Sequence, residues 1–294
     1  MGKLFVIVSA VCFGYSNAYW KKAIVDIPLM LVIFYRGIIA SAIFGLLCMV
    51  DYTFHSLSPF LGEPTGFNST QFIYSVALCI FSGFGLLFFV RSLRYALISI
   101  VVPLSSVNIF SILTATFVLK EAWKNVYYIC IGLTITGVWL LFSASKLPAD
   151  KKSFAKSLYT SLLASFFWGI SYALFKIPIR MMGPLPFSFL LELTIGLFAM
   201  TSLLINGSIM QVSQKWPLHT SRHYWVLALL VIGGTLSVNL GMISTPITEV
   251  NILSNASQLV ALAMGYVFYR EKLTAKQWLG VMAIISSIVL ISLM

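Results

Sequence analysis

Asn251, Asn255 and Gln258 stand at i, i+4 and i+7 within the otherwise apolar stretch from Glu249 to Glu271. At helical spacing the three amides share one face. An unpaired polar group in hydrocarbon costs several kcal/mol, so such a stripe must meet another helix or a water-filled cavity. A similar stretch lies about 150 residues upstream, where Leu119-Lys120-Glu121 matches Tyr269-Arg270-Glu271, Asn108 matches Gln258 and Ser105 matches Asn255. Asn17 and Asn239 add further amides to apolar runs. These seven groups could supply donors and acceptors to a polar solute. Otherwise they bond helix to helix, at about 0.6–2 kcal/mol each.

Arg36 and Glu192 are the clearest charges inside apolar runs, and such charges are functional candidates by default. They occupy corresponding places in the second and seventh runs, so they could meet. The pair is then either a structural ion pair or part of a substrate or proton site. An unpaired Glu192 could instead carry a coupling proton. Tyr15, Tyr19, Trp168 and Tyr172 could stack on a flat or cationic ligand, or belong to an interfacial aromatic belt. His219 and His223 have metal-ligand spacing, but their neighbours Ser221 and Arg222 are no ligands, so no metal is expected. With no HExxH, GxSxG or P-loop in the chain, no cofactor and no ATP hydrolysis are implied.

Composition says where these groups must act. The 294 residues are 60% hydrophobic and only 9% charged, with a mean hydropathy of +0.97, which marks a polytopic membrane protein in contact with lipid. The net charge of +11 is scattered singly or in pairs between apolar runs, which argues against nucleic acid as a partner. Cys12, Cys48, Cys79 and Cys130 lie inside such runs without CxxC spacing and read as packing residues.

A helix needs about 17–25 apolar residues to cross a bilayer. Ten runs qualify, near 4–20, 28–50, 72–90, 97–119, 126–143, 156–176, 186–205, 224–243, 250–269 and 277–294. Phe13-Gly14-Tyr15-Ser16-Asn17-Ala18-Tyr19-Trp20-Lys21 aligns with Trp168-Gly169-Ile170-Ser171-Tyr172-Ala173-Leu174-Phe175-Lys176. Five runs follow each start, and five is odd, so the second copy enters the membrane in the opposite direction. The expected fold is all-α: ten transmembrane helices as two inverted five-helix repeats, 1–145 and 153–294. Folds of this kind bind solutes near the midplane, between the repeats.

These features resemble the drug/metabolite transporter superfamily, and within it the EamA-type branch. The likeness rests on the five-plus-five layout, the aromatic-Gly starts, and Glu121 and Glu271 closing the fourth helix of each half. Phe268-Tyr269-Arg270-Glu271-Lys272-Leu273-Thr274 with Gln277 and Gly280 is similar to the family's GE-(R/K)-L-x(5)-Q-x-x-G signature. The resemblance implies a bacterial inner-membrane transporter rather than an enzyme. It also implies a basket in which the first, third, fourth, sixth, eighth and ninth helices line a cavity, while the fifth and tenth pack outside. Where the family often has proline in the fourth and ninth helices, this chain has Asn108 and Gln258.

The expected function is secondary transport, by alternating access, of a small polar or zwitterionic metabolite such as an amino acid, with a proton as the candidate coupling ion. Export of organic cations or drugs is the alternative, and a non-transporting structural protein is the alternative from another class. Orientation divides the signals, because termini-inside is the family habit. On the side of the termini lie five Lys and Arg, and thirteen lie on the other side, which favours termini outside. A C-terminal tag found in the cytoplasm would overturn that preference.

Overall fold

The computed structural model describes residues 1–24, 27–54, 68–105, 109–143, 151–206, 218–270 and 274–293. Asn108, Glu271, Lys272 and Leu273 lie outside them, as do the side chains of His219 and His223. The described residues form α-helices and their connections: α1 (Gly2–Ala23), α2 (Leu29–Phe54), α3 (Ser69–Ser92), α4 (Ile98–Ser105), α5 (Ile109–Phe117), α6 (Asn125–Ser143), α7 (Lys151–Leu174), α8 (Lys176–Met182), α9 (Pro184–Ile205), α10 (Leu218–Ser244), α11 (Ile247–Ser254), α12 (Ala256–Tyr269) and α13 (Ala275–Ser292). Eight stretches are long and apolar enough to cross a membrane, and Asn125–Leu141 is a shorter apolar helix. With α1 they account for the ten segments. The fourth consists of α4 and α5, the sixth continues from α7 into α8, and the ninth is divided at Asn255 into α11 and α12.

Local chemistry sets several helix ends. Asn68 accepts from the Gln71 N–H at 2.9 Å while the Gln71 side chain accepts from the Asn68 N–H at 2.9 Å, a reciprocal cap that opens α3. Thr274 and Gln277 open α13 the same way. Gly183, at φ 90°, turns α8 into α9, with Pro184 at the first helical position. Two residues other than glycine have positive φ among the described residues, Lys120 at 55° and Arg270 at 52°. They are repeat equivalents, each placed after the fourth segment of its half and directly before an acid, Glu121 or Glu271. Arg270 stands where the signature has glycine, the residue that adopts a left-handed backbone most readily.

Packing between the repeats obeys a two-fold pattern. α1 packs on α10 and α12, while its counterpart α7 packs on α3 and α5. The second segment, α2, packs on its own counterpart α9, and α6 packs on its counterpart α13. Each self-pairing crosses at glycines. A Cβ on Gly37 of α2 would lie 2.9 Å from Gly196 Cα of α9. A Cβ on Gly280 of α13 would lie 2.7 Å from the Gly137 carbonyl oxygen of α6. Such contacts allow only hydrogen at Cα, as is usual where membrane helices associate without a hydrophobic drive. Large apolar side chains such as Leu46, Trp139, Leu229 and Met282 remain exposed on the outside of the bundle, where lipid would cover them.

Candidate functional site

Between the repeats lies a cavity of about 150 Å³ lined by residues of both. Arg36 and Glu192 meet in its wall, with Arg36 Nη2 donating to Glu192 Oε1 at 2.7 Å. Both are buried, at 4% and 1% exposure. The α2–α9 crossing explains the closeness: a Cβ on Gly37, next to Arg36, would also lie 3.2 Å from the Glu192 carbonyl oxygen. Thr235 of α10 donates to the same Glu192 oxygen at 3.4 Å. Arg36 Nε, Arg36 Nη1 and Glu192 Oε2 are buried without a hydrogen-bond partner among the described residues. Unsatisfied charged groups of this kind carry a large desolvation cost.

Hydroxyls and amides dominate the remaining polar wall: Ser16, Asn17, Ser82, Ser105, Ser111, Ser165, Asn251, Ser254 and Ser257. Phe13, Trp20, Phe89, Trp168 and Tyr172 supply aromatic surface. The aromatic-Gly pair that begins each repeat has a packing role. Phe13 rests on Gly234 of α10, whose Cβ would lie 2.8 Å from the ring. Trp168 rests on Gly85 of α3, whose Cβ would lie 2.5 Å from the indole. The adjacent glycines bring backbones together: a Cβ on Gly14 would lie 2.8 Å from the Ser257 carbonyl oxygen, and one on Gly169 would lie 2.7 Å from Phe110 Cβ. The motif thus holds an aromatic at the cavity and clamps the first helix of each repeat to the fourth segment of the other.

Of the residues singled out from the sequence, Asn17, Arg36, Ser105, Trp168, Tyr172, Glu192 and Asn251 line this cavity. Asn108 lies outside the described residues, and the other described ones lie elsewhere. Tyr15 is 37% exposed on the outer face of α1, and Tyr19 lies edge-on to Phe268 at 6.2 Å. Their repeat equivalents are Ile170 and Leu174, whereas Phe13 and Asn17 correspond to the cavity-lining Trp168 and Tyr172. Asn239 donates to Ser188 at 2.8 Å, joining α10 to α9. Asn255 donates to Thr134 of α6 at 3.3 Å and accepts from Gln258 at 3.0 Å. Thr134 in turn lies 3.1 Å from the Ser287 hydroxyl of α13. The amide stripe therefore turns toward α6, and only Asn251 reaches the main cavity, where it donates to Ser111 at 2.7 Å. Asn251 and Asn255 also edge a mostly apolar cleft of about 220 Å³ between α4, α5, α6 and α11.

The cavity face of α11 and α12 is instead Val250, Ser254 and Ser257, about a quarter-turn round the helix. These serines, with Ser16, Ser82, Ser111, Ser165 and Thr235, escaped the sequence reading. A serine in an apolar helix bonds its own backbone, as Ser16 does to the Phe13 carbonyl at 2.9 Å, and its side chain barely lowers hydropathy. The i, i+4, i+7 series of Phe13, Asn17 and Trp20 was the available signal. The second and seventh segments also contribute wall, through Arg36, Leu191, Glu192 and Ile195, beyond the six helices implied by the resemblance. Among the described residues, the fifth and tenth segments contribute none.

At the end of the bundle that carries the chain termini, two acids tie the segments together. Glu121 accepts from Lys176 at 2.9 Å and from the Ile247 and Thr248 N–H groups at 2.8 and 3.2 Å, so it caps α11 from another repeat. Burial pushes its carboxyl up, but these N–H groups and the Lys176 ammonium outweigh burial and hold it below the usual carboxylate range. Glu249 accepts from Lys124 at 2.7 Å and from the Tyr127 hydroxyl at 3.2 Å, with Lys3 at 3.5 Å.

Two repeats of opposite direction around a polar cavity define a membrane protein with the architecture of a transporter. The sequence model of the EamA-like transporter family matches residues 1–143 and again 155–293, and the chain belongs to that family. It is an integral multi-pass membrane protein of a transporter family. No individually curated protein is significantly similar to it in sequence. A crystal structure of another protein is similar over 99% of this chain and 96% of its own, with a TM-score of 0.72 and 14% identity, a likeness of fold alone.

Proposed function

We propose that the protein is a secondary carrier for a small polar or zwitterionic metabolite, amino acids and related compounds foremost, in a bacterial inner membrane. The observation that carries this reading is the buried Arg36–Glu192 pair with unused donors and an unused acceptor, set in a hydroxyl- and amide-rich cavity between the repeats. Alternating access would rock the repeats about that cavity, and the break at Asn255 gives the ninth segment a place to bend. Pairing with Arg36 supports a charge-compensating role for Glu192, and an exchangeable proton on it is the candidate link to a pH gradient.

Reconstituted vesicles offered a mixed metabolite panel, with and without a pH gradient, test the reading. Wild type should accumulate a polar solute, and Asn17→Leu should lose that accumulation while keeping its melting temperature. A folded wild type that moves no member of a broad panel would sink the carrier reading.

A further inference from the structure

At the end of the bundle away from the chain termini, α3 of the first repeat and α7 of the second meet at a basic corner. Ser157 of α7 donates to the Ser92 carbonyl of α3 at 3.3 Å. Beside that bond, the Lys156 ammonium lies 4.5 Å from the centre of the Tyr95 ring. A hydrogen bond from Lys156 and the charges of Lys156, Arg91 and Arg94 hold the Tyr95 hydroxyl below the usual phenol range, against the opposing effect of burial. Arg94 also donates to the Ile27 carbonyl at 3.3 Å. All three cations are exposed, and among the described residues no carboxylate pairs with any of them. We propose that this corner binds the phosphodiester headgroup of an anionic phospholipid, whose acyl chains lie along the seam between α3 and α7.

Three features favour this partner. Three cations around one phenol repel one another, and a phosphodiester brings both the opposite charge and oxygens that accept from arginine and lysine. An apolar track then runs into the membrane from the cations. On α3, Phe84 and Ile80 share the face of Arg91, and on α7, Tyr159 and Phe166 share the face of Lys156. These four apolar side chains are exposed, and the seam beneath them is closed by rings, with Phe84 5.6 Å from Phe167 and Phe81 6.2 Å from Phe166. A charged head with an apolar track behind it matches a phospholipid, whereas a soluble anion would use the head alone. The third feature is the contrast with the other repeat. Counting from Gly85 and Gly234, on which the repeat-start aromatics rest, Arg91 and Arg94 correspond to Leu240 and Ile243 of α10. The equivalent seam of α10 with α1 thus packs without these cations, so helix packing does not call for them at α3. Because Arg91 and Arg94 belong to one repeat and Lys156 to the other, a bound headgroup ties the repeats together and stabilises the fold.

The test is thermal melting of the purified full-length protein in a neutral detergent, titrated with phosphatidylglycerol, with phosphatidylcholine of the same acyl chains, or with glycerol phosphate, which has the headgroup chemistry without tails. Phosphatidylglycerol should raise the midpoint saturably, by more than about 2 °C over phosphatidylcholine, and the difference should shrink in high salt. Arg91→Gln with Lys156→Gln should weaken the apparent affinity by about thirtyfold, roughly fivefold for each cation removed. Lys22→Gln with Lys276→Gln removes equal charge from exposed positions of the same end and should leave the affinity within about twofold. Equal stabilisation by the two lipids overturns the site, as does an equal loss in both double variants, which would mean a diffuse surface charge. Glycerol phosphate acting as well as phosphatidylglycerol would overturn the lipid in favour of a soluble anion. Should the Arg91→Gln and Lys156→Gln pair fail to fold, Arg94→Gln alone is read against the same control, with a fivefold loss expected and no loss overturning the site.

Discussion

Gly37→Ala adds one methyl group at a buried helix crossing, and its consequence should reach the site. The new Cβ would lie 2.9 Å from Gly196 Cα and N, whereas carbon contacts settle near about 3.5–4.0 Å. The α2 and α9 backbones must therefore separate locally by about 0.6–1.1 Å. Arg36 and Glu192 flank that contact, and their 2.7 Å bond would stretch to roughly 3.3–3.8 Å if both side chains held their rotamers, from a weak hydrogen bond to none. Overpacking of this kind costs about 1–3 kcal/mol, and a weakened bond between charged groups adds about 1.5–3 kcal/mol. Alanine's better helix propensity returns up to about 1 kcal/mol. The net expectation is a loss of about 1.5–6 kcal/mol, read as a lower melting temperature in detergent and as lost substrate uptake. Gly132→Ala is the internal control, since its Cβ meets no atom within 4 Å, and it should be neutral or slightly stabilising. If Gly37→Ala melts and transports like Gly132→Ala, the glycine crossing does not position the pair.

Four further outcomes follow from the same geometry. Asn255→Leu should lower stability by about 1–2 kcal/mol by cutting the amide chain to Thr134; a folded variant should keep wild-type ligand affinity, and a selective loss of affinity would restore Asn255 to the binding wall. Because Glu121 is held ionised in the folded state, its contribution is full above the ordinary carboxylate pKa of about 4.3 and is lost as pH falls through its lower folded value; Glu121→Gln should flatten the melting profile over that acid range, and an unchanged profile would refute the trans cap. Lys120→Gly should stabilise by about 0.5–1 kcal/mol, since φ 55° suits glycine better than lysine; a lower melting temperature would contradict this. In gradient-driven vesicles, Glu192→Gln is expected to abolish accumulation and spare exchange of any solute it still binds; pH-driven accumulation at the wild-type level would exclude Glu192 as the proton carrier.

Much of the architecture was legible in the residues themselves. Hydrocarbon demands long apolar helices whose backbone bonds are internal, so hydropathy alone marked ten segments, and the aligned stretches at Phe13 and Trp168 exposed the duplication. The odd segment number then required inversion. Arg36 and Glu192 stood out because charge in an apolar run is rare. What tertiary structure decided was the direction in which each polar side chain points. The helices are apolar nearly all round, so periodicity distinguished a cavity face poorly from a helix contact or a lipid face. Asn251 and Asn255 differ by a fraction of a turn, yet one reaches the cavity and the other bonds α6. Serines such as Ser82 and Ser165 became cavity wall only once helices from both repeats were brought together. The closeness of Arg36 to Glu192 likewise depends on Gly37 meeting Gly196, 159 positions further along the chain, a contact between surfaces that neither segment specifies alone.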